Sequence, residues 1–355
     1  VRRFDFAGGT AVVTGAASGI GEALAHALAR RGSHLVLLDR DAERLDAVVA
    51  AIRAAHPDRR LHTYLVDLAD PAETARVAEE IRQRHPRIRL LVNNAGVALG
   101  GRFDQVTFEE FSWVVEINFR AVAQLTHALL PALKAEPGAH LVNVSSLFGL
   151  MAPPGQTAYA ASKFAVRGFT EALRAELAED GVGVTSVHPG GINTRIAANA
   201  RVGSGVEPAE YEQGRRQFEK LLTIPPARAA EVILRAVTRR RGRALIGWSA
   251  KLPDLLVRAA PSGYQRVLAL GLRRTGTGTP TRATTAPMPA VPADAPLTAP
   301  TGSAPDHTPP TASTGPRPAS HHTPPTTAPS TTPAVAVPAP RPAPQPAADT
   351  ARESA

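Results

Sequence analysis

The chain has 355 residues, a formal net charge of +9, 33 prolines and no cysteine. The missing cysteines exclude disulfides, thiolate catalysis and cysteine-ligated metals, and they fit a reducing, cytoplasmic setting. Neither excess is spread evenly: 20 prolines fall in residues 275–355, and residues 201–274 hold 15 basic and 6 acidic side chains, so 15 − 6 = 9 accounts for the whole charge.

The opening Arg2-Arg3 pair is interrupted by Asp5 and leads into a glycine-rich turn, which is not the pattern of a cleaved signal. Apolar runs then alternate with helical periodicity. Strands are expected at Thr10–Thr14, His34–Asp39, Leu61–Val66 and Arg89–Asn93, with helices at Gly19–Arg31, Asp41–Ala55 and Pro71–Arg84 between them. One long helix is expected over Thr107–Lys134, followed by strand Ala139–Ser145, helix Thr157–Asp180 and strand Gly183–His188. Regularity weakens through 190–224 and returns as helix Ala227–Arg241 and a short strand Arg243–Gly247. Strands alternating with helices of this length imply right-handed crossovers, hence an α/β fold with a parallel sheet of about seven strands covered on both faces.

Three stretches carry chemistry. The first strand-to-helix turn reads Thr-Gly-Ala-Ala-Ser-Gly-Ile-Gly from Thr14 to Gly21. Glycines at 15, 19 and 21 allow a tight turn and close approach of a pyrophosphate, while the helix start offers amide donors. Asp39 ends the second strand twenty residues after Gly19. A carboxylate there accepts from ribose hydroxyls and repels a 2′-phosphate, which favours NAD; Arg40 beside it leaves NADP open. Finally, Tyr159 and Lys163 stand four apart on a helix, so an ammonium can lie beside a phenol that ordinarily titrates near pH ~10 and favour its ionised form.

With Asn93-Asn94-Ala95-Gly96, Ser145-Ser146 and Pro189-Gly190 in the same order, the chain resembles the short-chain dehydrogenase/reductase family in its single-domain Rossmann form. The resemblance implies hydride transfer between a nicotinamide dinucleotide and an alcohol/ketone or alcohol/aldehyde couple. It implies that Ser146, thirteen residues before Tyr159, holds the substrate oxygen. Tyr159 would move the proton, and Lys163 would bind the nicotinamide ribose and lower the phenol. Asn118 would support a proton relay. Further cofactor contacts are implied at Gly15, Ser18, Gly19, Ile20, Gly21, Asp67, Leu68, Asn94, Ala95 and Gly96, and again at Pro189, Gly190, Ile192 and Thr194. No metal is implied. His188 reads as packing. The family's pairing of subunits through two long helices, here 107–134 and 157–180, implies a homo-oligomer. Two rival readings stand beside this: a dinucleotide-binding sensor or scaffold without turnover, against which the complete Ser146/Tyr159/Lys163 set argues, and a peripheral membrane adaptor built around 201–274.

Residues 1–248 thus read as the catalytic domain, with 195–224 in the position of a substrate lid. Leu147, Phe148, Leu150, Met151, Pro153 and Pro154 stand between Ser146 and Tyr159 and read either as an apolar substrate wall or as core. The lid carries Arg215, Arg216, Phe218, Lys220, Leu221 and Leu222. Residues 249–274 form a basic amphipathic pattern split by Pro261, read as helices docked on the body or lying on an anionic membrane. The basic balance comes with no helix-turn-helix, zinc-finger or RNA-binding signature, so nucleic acid is not an expected partner. No apolar run approaches the ~18 residues of a membrane span. Residues 275–355, lacking Phe, Trp and Tyr, read as a disordered Pro/Thr/Ala tail.

Overall fold

A computed structural model describes residues 3–266 of the chain; the expected tail and the end of the second C-terminal helix lie outside the described residues. The order begins β1 (Thr10–Thr14), α1 (Gly19–Arg30), β2 (His34–Asp39), α2 (Ala42–Ala55), β3 (Leu61–Leu65), α3 (Pro71–Arg84), β4 (Leu90–Asn93) and β5 (Leu99–Gly100). It continues with α4 (Phe108–Val115), a π-helical turn at Glu116–Arg120, α5 (Ala121–Lys134), β6 (His140–Val144), α6 (Thr157–Glu176) and β7 (Gly183–Pro189). The last elements are α7 (Arg195–Ala198), β8 (Arg201–Val202), α8 (Pro208–Glu219), α9 (Pro226–Thr238), β9 (Arg243–Ile246) and α10 (Trp248–Ala259).

Seven strands form one parallel sheet in the order β3-β2-β1-β4-β6-β7-β9. Successive side chains of a strand point to opposite faces. Accordingly Val13, Leu35, Leu37 and Val92 join the core beneath α1, α2 and α9, while Val12, Val36, Leu38 and Leu91 join the core beneath α3 and α5. Strand order reverses between β1 and β4. Ligands of open α/β sheets bind at such a switch point, outside the carboxyl ends of the strands.

Four departures from the sequence expectations have physical causes. The helix expected over 107–134 is interrupted by the π-turn, where Ala121 N donates to Glu116 O across five residues. The helix expected to reach Asp180 ends at Glu176, and the chain turns through Gly181 at φ +70°. A second, two-stranded parallel ladder joins β5 to β8, with Leu99 opposite Arg201, too short to leave a pattern in sequence. Within 190–224, α7 and α8 form where only irregular chain was expected.

A polar bridge crosses the middle of the sheet. Asn93 and Asn143 are register partners, and Asn93 Nδ2 donates to Asn143 Oδ1 at 2.8 Å and to Thr126 Oγ1 at 3.0 Å. Asn143 Nδ2 donates onward to Thr170 Oγ1 at 3.0 Å, so the buried chain of amides runs from α5 through β4 and β6 to α6.

Candidate active site

The glycine turn is built for close approach. Gly15 and Gly19 have φ of +66° and +58°, and a side chain on Gly21 would run into the Gly15 carbonyl. Ser18, extended and preceding α1, makes no side-chain cap hydrogen bond. The first intrahelical bond is Glu22 N to Ser18 O, which leaves the Gly19, Ile20 and Gly21 amides as the unpaired donors of the helix start. The Ile20 side chain packs on the core, so its amide is what it offers. Asp39 closes over the turn: Oδ2 accepts from Ala17 N at 2.9 Å, and Oδ1 from Arg40 N at 2.8 Å and Asp41 N at 3.1 Å. Arg40 is exposed and carries no ion pair among the described residues.

Thr14, which the sequence reading passed over, ties this turn to β4. Its hydroxyl accepts from the Asn94 and Ala95 amides, each at 3.0 Å, and Asn94 Nδ2 donates to Thr14 O at 3.0 Å. Gly96 sits where a Cβ would stand 3.0 Å from Asn118 Oδ1 and 3.1 Å from Lys163 Nζ. Asp67 and Leu68 lie past edge strand β3, two strands from β1. Asp67 is exposed and accepts from Ala69 N, whereas the Leu68 side chain is buried in the core.

The residues expected to react, Ser146, Tyr159 and Lys163, gather where β6 meets α6. Ser145 is buried and donates to Lys163 O at 2.7 Å. Ser146 Oγ accepts from Phe148 N at 3.1 Å and lies near enough to the Tyr159 phenol to influence its titration. Lys163, with 2% of its surface exposed, places Nζ 5.7 Å from the Tyr159 ring centre and donates to Val144 O at 3.2 Å. Burial pushes the Tyr159 phenol up from its ordinary value, offset in part by Ser146, and pulls Lys163 down to about 8. In the chain by itself the phenol is thus raised, where the sequence led to the expectation of lowering by Lys163. Desolvation is the main cause, and Lys163 contributes nothing to the shift at this separation.

Asn118 lies in the π-turn, fully buried. Its Oδ1 accepts from Val97 N at 2.8 Å, while Nδ2 donates to Val97 O at 3.0 Å and Ser162 Oγ at 3.1 Å. Ser162 in turn donates to Tyr159 O at 2.7 Å, a link that only its place beside Lys163 hinted at.

Around this centre, Phe148 stands edge-on to Tyr159 at 6.1 Å. Leu150 and Met151 are buried, whereas Leu147 and Phe148 are half-exposed, so the apolar set divides between core and wall. Past β7, Gly190 N donates to Ile246 O, the Ile192 side chain enters the core, and Thr194 covers Gly19, its methyl 3.1 Å from where a Cβ would be. A cleft of about 530 Å³ opens here, lined in part by Ala17, Ser18, Gly19, Thr194 and Arg195. The 195–224 stretch is pinned by the β5–β8 ladder and by Glu110, which caps α4 and also accepts from Ser204 N at 3.1 Å. After α10, buried Tyr264 returns to the site, its hydroxyl accepting from Ala152 N at 3.3 Å.

Comparison with known proteins agrees with this arrangement. The family model described as short chain dehydrogenase matches residues 9–204. SadH of Mycobacterium tuberculosis is 39% identical over 273 residues, covering 76% of this chain and 97% of that protein. The structure of a short-chain dehydrogenase/reductase from Burkholderia phymatum in complex with NAD has a TM-score of 0.63 at 29% identity, covering 78% of this chain and 98% of the other. A short-chain dehydrogenase from Sphingobium yanoikuyae in complex with NADPH has a TM-score of 0.59 at 29% identity, covering 79% and 99%. With its seven-stranded Rossmann sheet, glycine turn and Ser146/Tyr159/Lys163 cluster, the chain belongs to the short-chain dehydrogenase family of oxidoreductases.

Proposed function

We propose that the protein interconverts a secondary alcohol and a ketone, or a primary alcohol and an aldehyde, on an apolar substrate and with NAD as the preferred cofactor. The observation that carries this reading is the gathering of Ser146, the buried Tyr159 phenol and the buried Lys163 ammonium, whose Nζ lies 5.7 Å from the Tyr159 ring centre.

The residues at the switch point fit a nicotinamide dinucleotide. Side chains would fill the cradle at Gly15, Gly19 and Gly21, and the free amides of the α1 start suit a pyrophosphate. Ser18 and Thr194 flank that position, with the Asn94–Gly96 backbone and Pro189–Ile192 along its path and Asp67 and Leu68 near adenine. Asp39 Oδ2, which accepts from Ala17 N alone, keeps one lone pair for a ribose hydroxyl, and uncommitted Arg40 admits NADP as the lesser choice. Such a cofactor supplies the donor or acceptor of hydride.

Ser146 holds the substrate oxygen. Tyr159 Oη gives its proton to a carbonyl oxygen or takes one from an alcohol. Burial keeps the phenol protonated at neutral pH, the form needed for donation. The phenolate needed for the reverse step has Lys163 as its nearest stabilising cation. Asn118 supports the proton path by fixing Ser162 and Val97 on either side of it. Leu147 and Phe148 make the mouth apolar.

A panel of apolar alcohols and ketones, assayed with both cofactors, tests the proposal. Tyr159→Phe should lower kcat at least ~100-fold, the usual contribution of a general acid or base, while dinucleotide binding persists. Turnover that survives the substitution sinks the mechanism. Binding without turnover on any substrate favours the sensor reading.

A second surface has its own observation. Among the described residues no helix is long and apolar enough to cross a membrane. Yet α10, which docks through buried Ala250 and the Arg243–Asp254 ion pair, leaves Trp248, Leu252 and Leu255 at 80%, 68% and 64% exposure beside Lys251 and Arg258. We propose that this face rests on an anionic membrane, making the protein cytoplasmic and membrane-peripheral. Vesicle flotation of the full chain tests this, and loss of flotation in Trp248→Ser/Leu252→Ser/Leu255→Ser is the expected result. Exposed Phe108 on α4 and Phe164 on α6 support pairing of subunits through these helices, an assembly that sedimentation velocity measures.

A further inference from the structure

The β6–β7 ladder ends abruptly beside the reacting serine. Val144 pairs with Val187, and Ser145 N donates to Val187 O at 2.8 Å. The next donor along β7 would be the nitrogen of Pro189, which bears no hydrogen. That lost bond belongs to the Ser145 carbonyl; one residue further, past the end of the ladder, the Ser146 carbonyl is met by a side chain, with His188 Nδ1 3.0 Å from Ser146 O. His188 is fully buried, and its Nε2 lies 3.0 Å from Ser186 Oγ.

We infer that His188 is a positioning residue for Ser146: where the ladder has ended, its imidazole holds the Ser146 carbonyl and so sets where Ser146 Oγ meets Tyr159 and the substrate oxygen. A carbonyl only accepts, so Nδ1 must carry the hydrogen. Nε2 is then the acceptor, and Ser186 Oγ donates to it. Burial lowers the imidazole to about 4, so one neutral tautomer persists across neutral pH. Ser146 is therefore fixed from two sides, its carbonyl by His188 and its hydroxyl by Phe148 N. A residue read from sequence as packing acts one bond away from the chemistry.

The inference rests on the alcohol–carbonyl reading above, and its test separates the two. In His188→Asn the amide nitrogen falls close to where Nδ1 stands, so the bond to Ser146 is kept; in His188→Gln the amide reaches one bond further, toward Ser186, and the bond is lost. His188→Asn should keep kcat within about twofold of the wild type. His188→Gln should lower kcat by roughly ten- to a hundredfold through misplacement, with KM and the dinucleotide Kd held within about twofold. Equal kcat in the two variants, or a loss confined to Kd or to Tm, overturns the inference. Independently of turnover, nitrogen NMR of the imidazole at pH 7 should show the hydrogen on Nδ1, and a hydrogen on Nε2 overturns it. Absence of wild-type turnover on every alcohol and ketone instead defeats the functional reading and leaves the NMR result to decide this one.

Discussion

Asp39 ties the glycine turn to the end of β2, since its carboxylate accepts from Ala17, Arg40 and Asp41 amides. The same carboxylate faces the position proposed for the adenosine ribose, so Asp39→Ala should shift cofactor choice as well as loosen the turn. Losing a charge-assisted hydrogen bond costs about 1.5 kcal/mol or more, so the NAD/NADP ratio of kcat/KM should fall roughly tenfold. An unchanged ratio removes Asp39 from cofactor selection. Asp39, Tyr159 and Lys163 could be singled out in the sequence by short spacings, the end of a strand or four residues on a helix, whereas Ser146 came only from the family resemblance. Ser162, His188 and Tyr264 were not legible, because their partners stand far away in the chain. His188 meets Ser146 across 42 residues and Tyr264 meets Ala152 across 112. The raised Tyr159 phenol was missed for another reason, since spacing reveals a neighbouring charge but not how much water burial removes.

Among the elements, strand and helix order was readable because a fully buried parallel strand is a short apolar run and a covering helix shows 3.6-residue periodicity. Periodicity did not show the π-turn, because one extra residue in a helix shifts the apolar face only slightly. Asn118, a poor helix former, was the mark left behind. The amphipathic character of α10 was likewise plain, but not which face would dock. Its two sides have different duties: Asp254 pairs with Arg243 of β9 on the docked side, while Lys251 stands 5.1 Å from the exposed Trp248 ring on the open one. If the open face binds anionic lipid through both parts, flotation should weaken steeply with salt and be slight on neutral vesicles. Equal flotation by wild type and the triple α10 variant, or on both vesicle types, would falsify the membrane reading.

For the molecule as a whole, burial holds three histidines well below 6.5: His140 at about 3, and His85 and His188 at about 4. Below pH 6.5 the unfolded chain takes up protons on these groups while the folded chain does not. Stability is therefore lost as pH falls from 6.5 toward 4, by about 3 kcal/mol for each of the fully buried His140 and His188. Lys163, lowered to about 8, acts on the other side: the unfolded chain keeps its proton longer, so stability rises between pH 8 and 10.5. Urea midpoints should drop from pH 7 to 4.5, and His188→Asn should flatten that slope; an identical slope in the variant refutes the assignment. The amide bridge from Thr126 through Asn93 and Asn143 to Thr170 has a consequence for the same molecule during folding. A one-residue slip of β6 against β4 would keep most apolar burial but strand two amides in the interior, so mispaired central sheets are penalised where hydrophobic contacts alone discriminate poorly. The same bridge ties α5 through Thr126 and α6 through Thr170 to that register, so the pairing of the central strands also fixes where the helix carrying Tyr159 sits along the sheet.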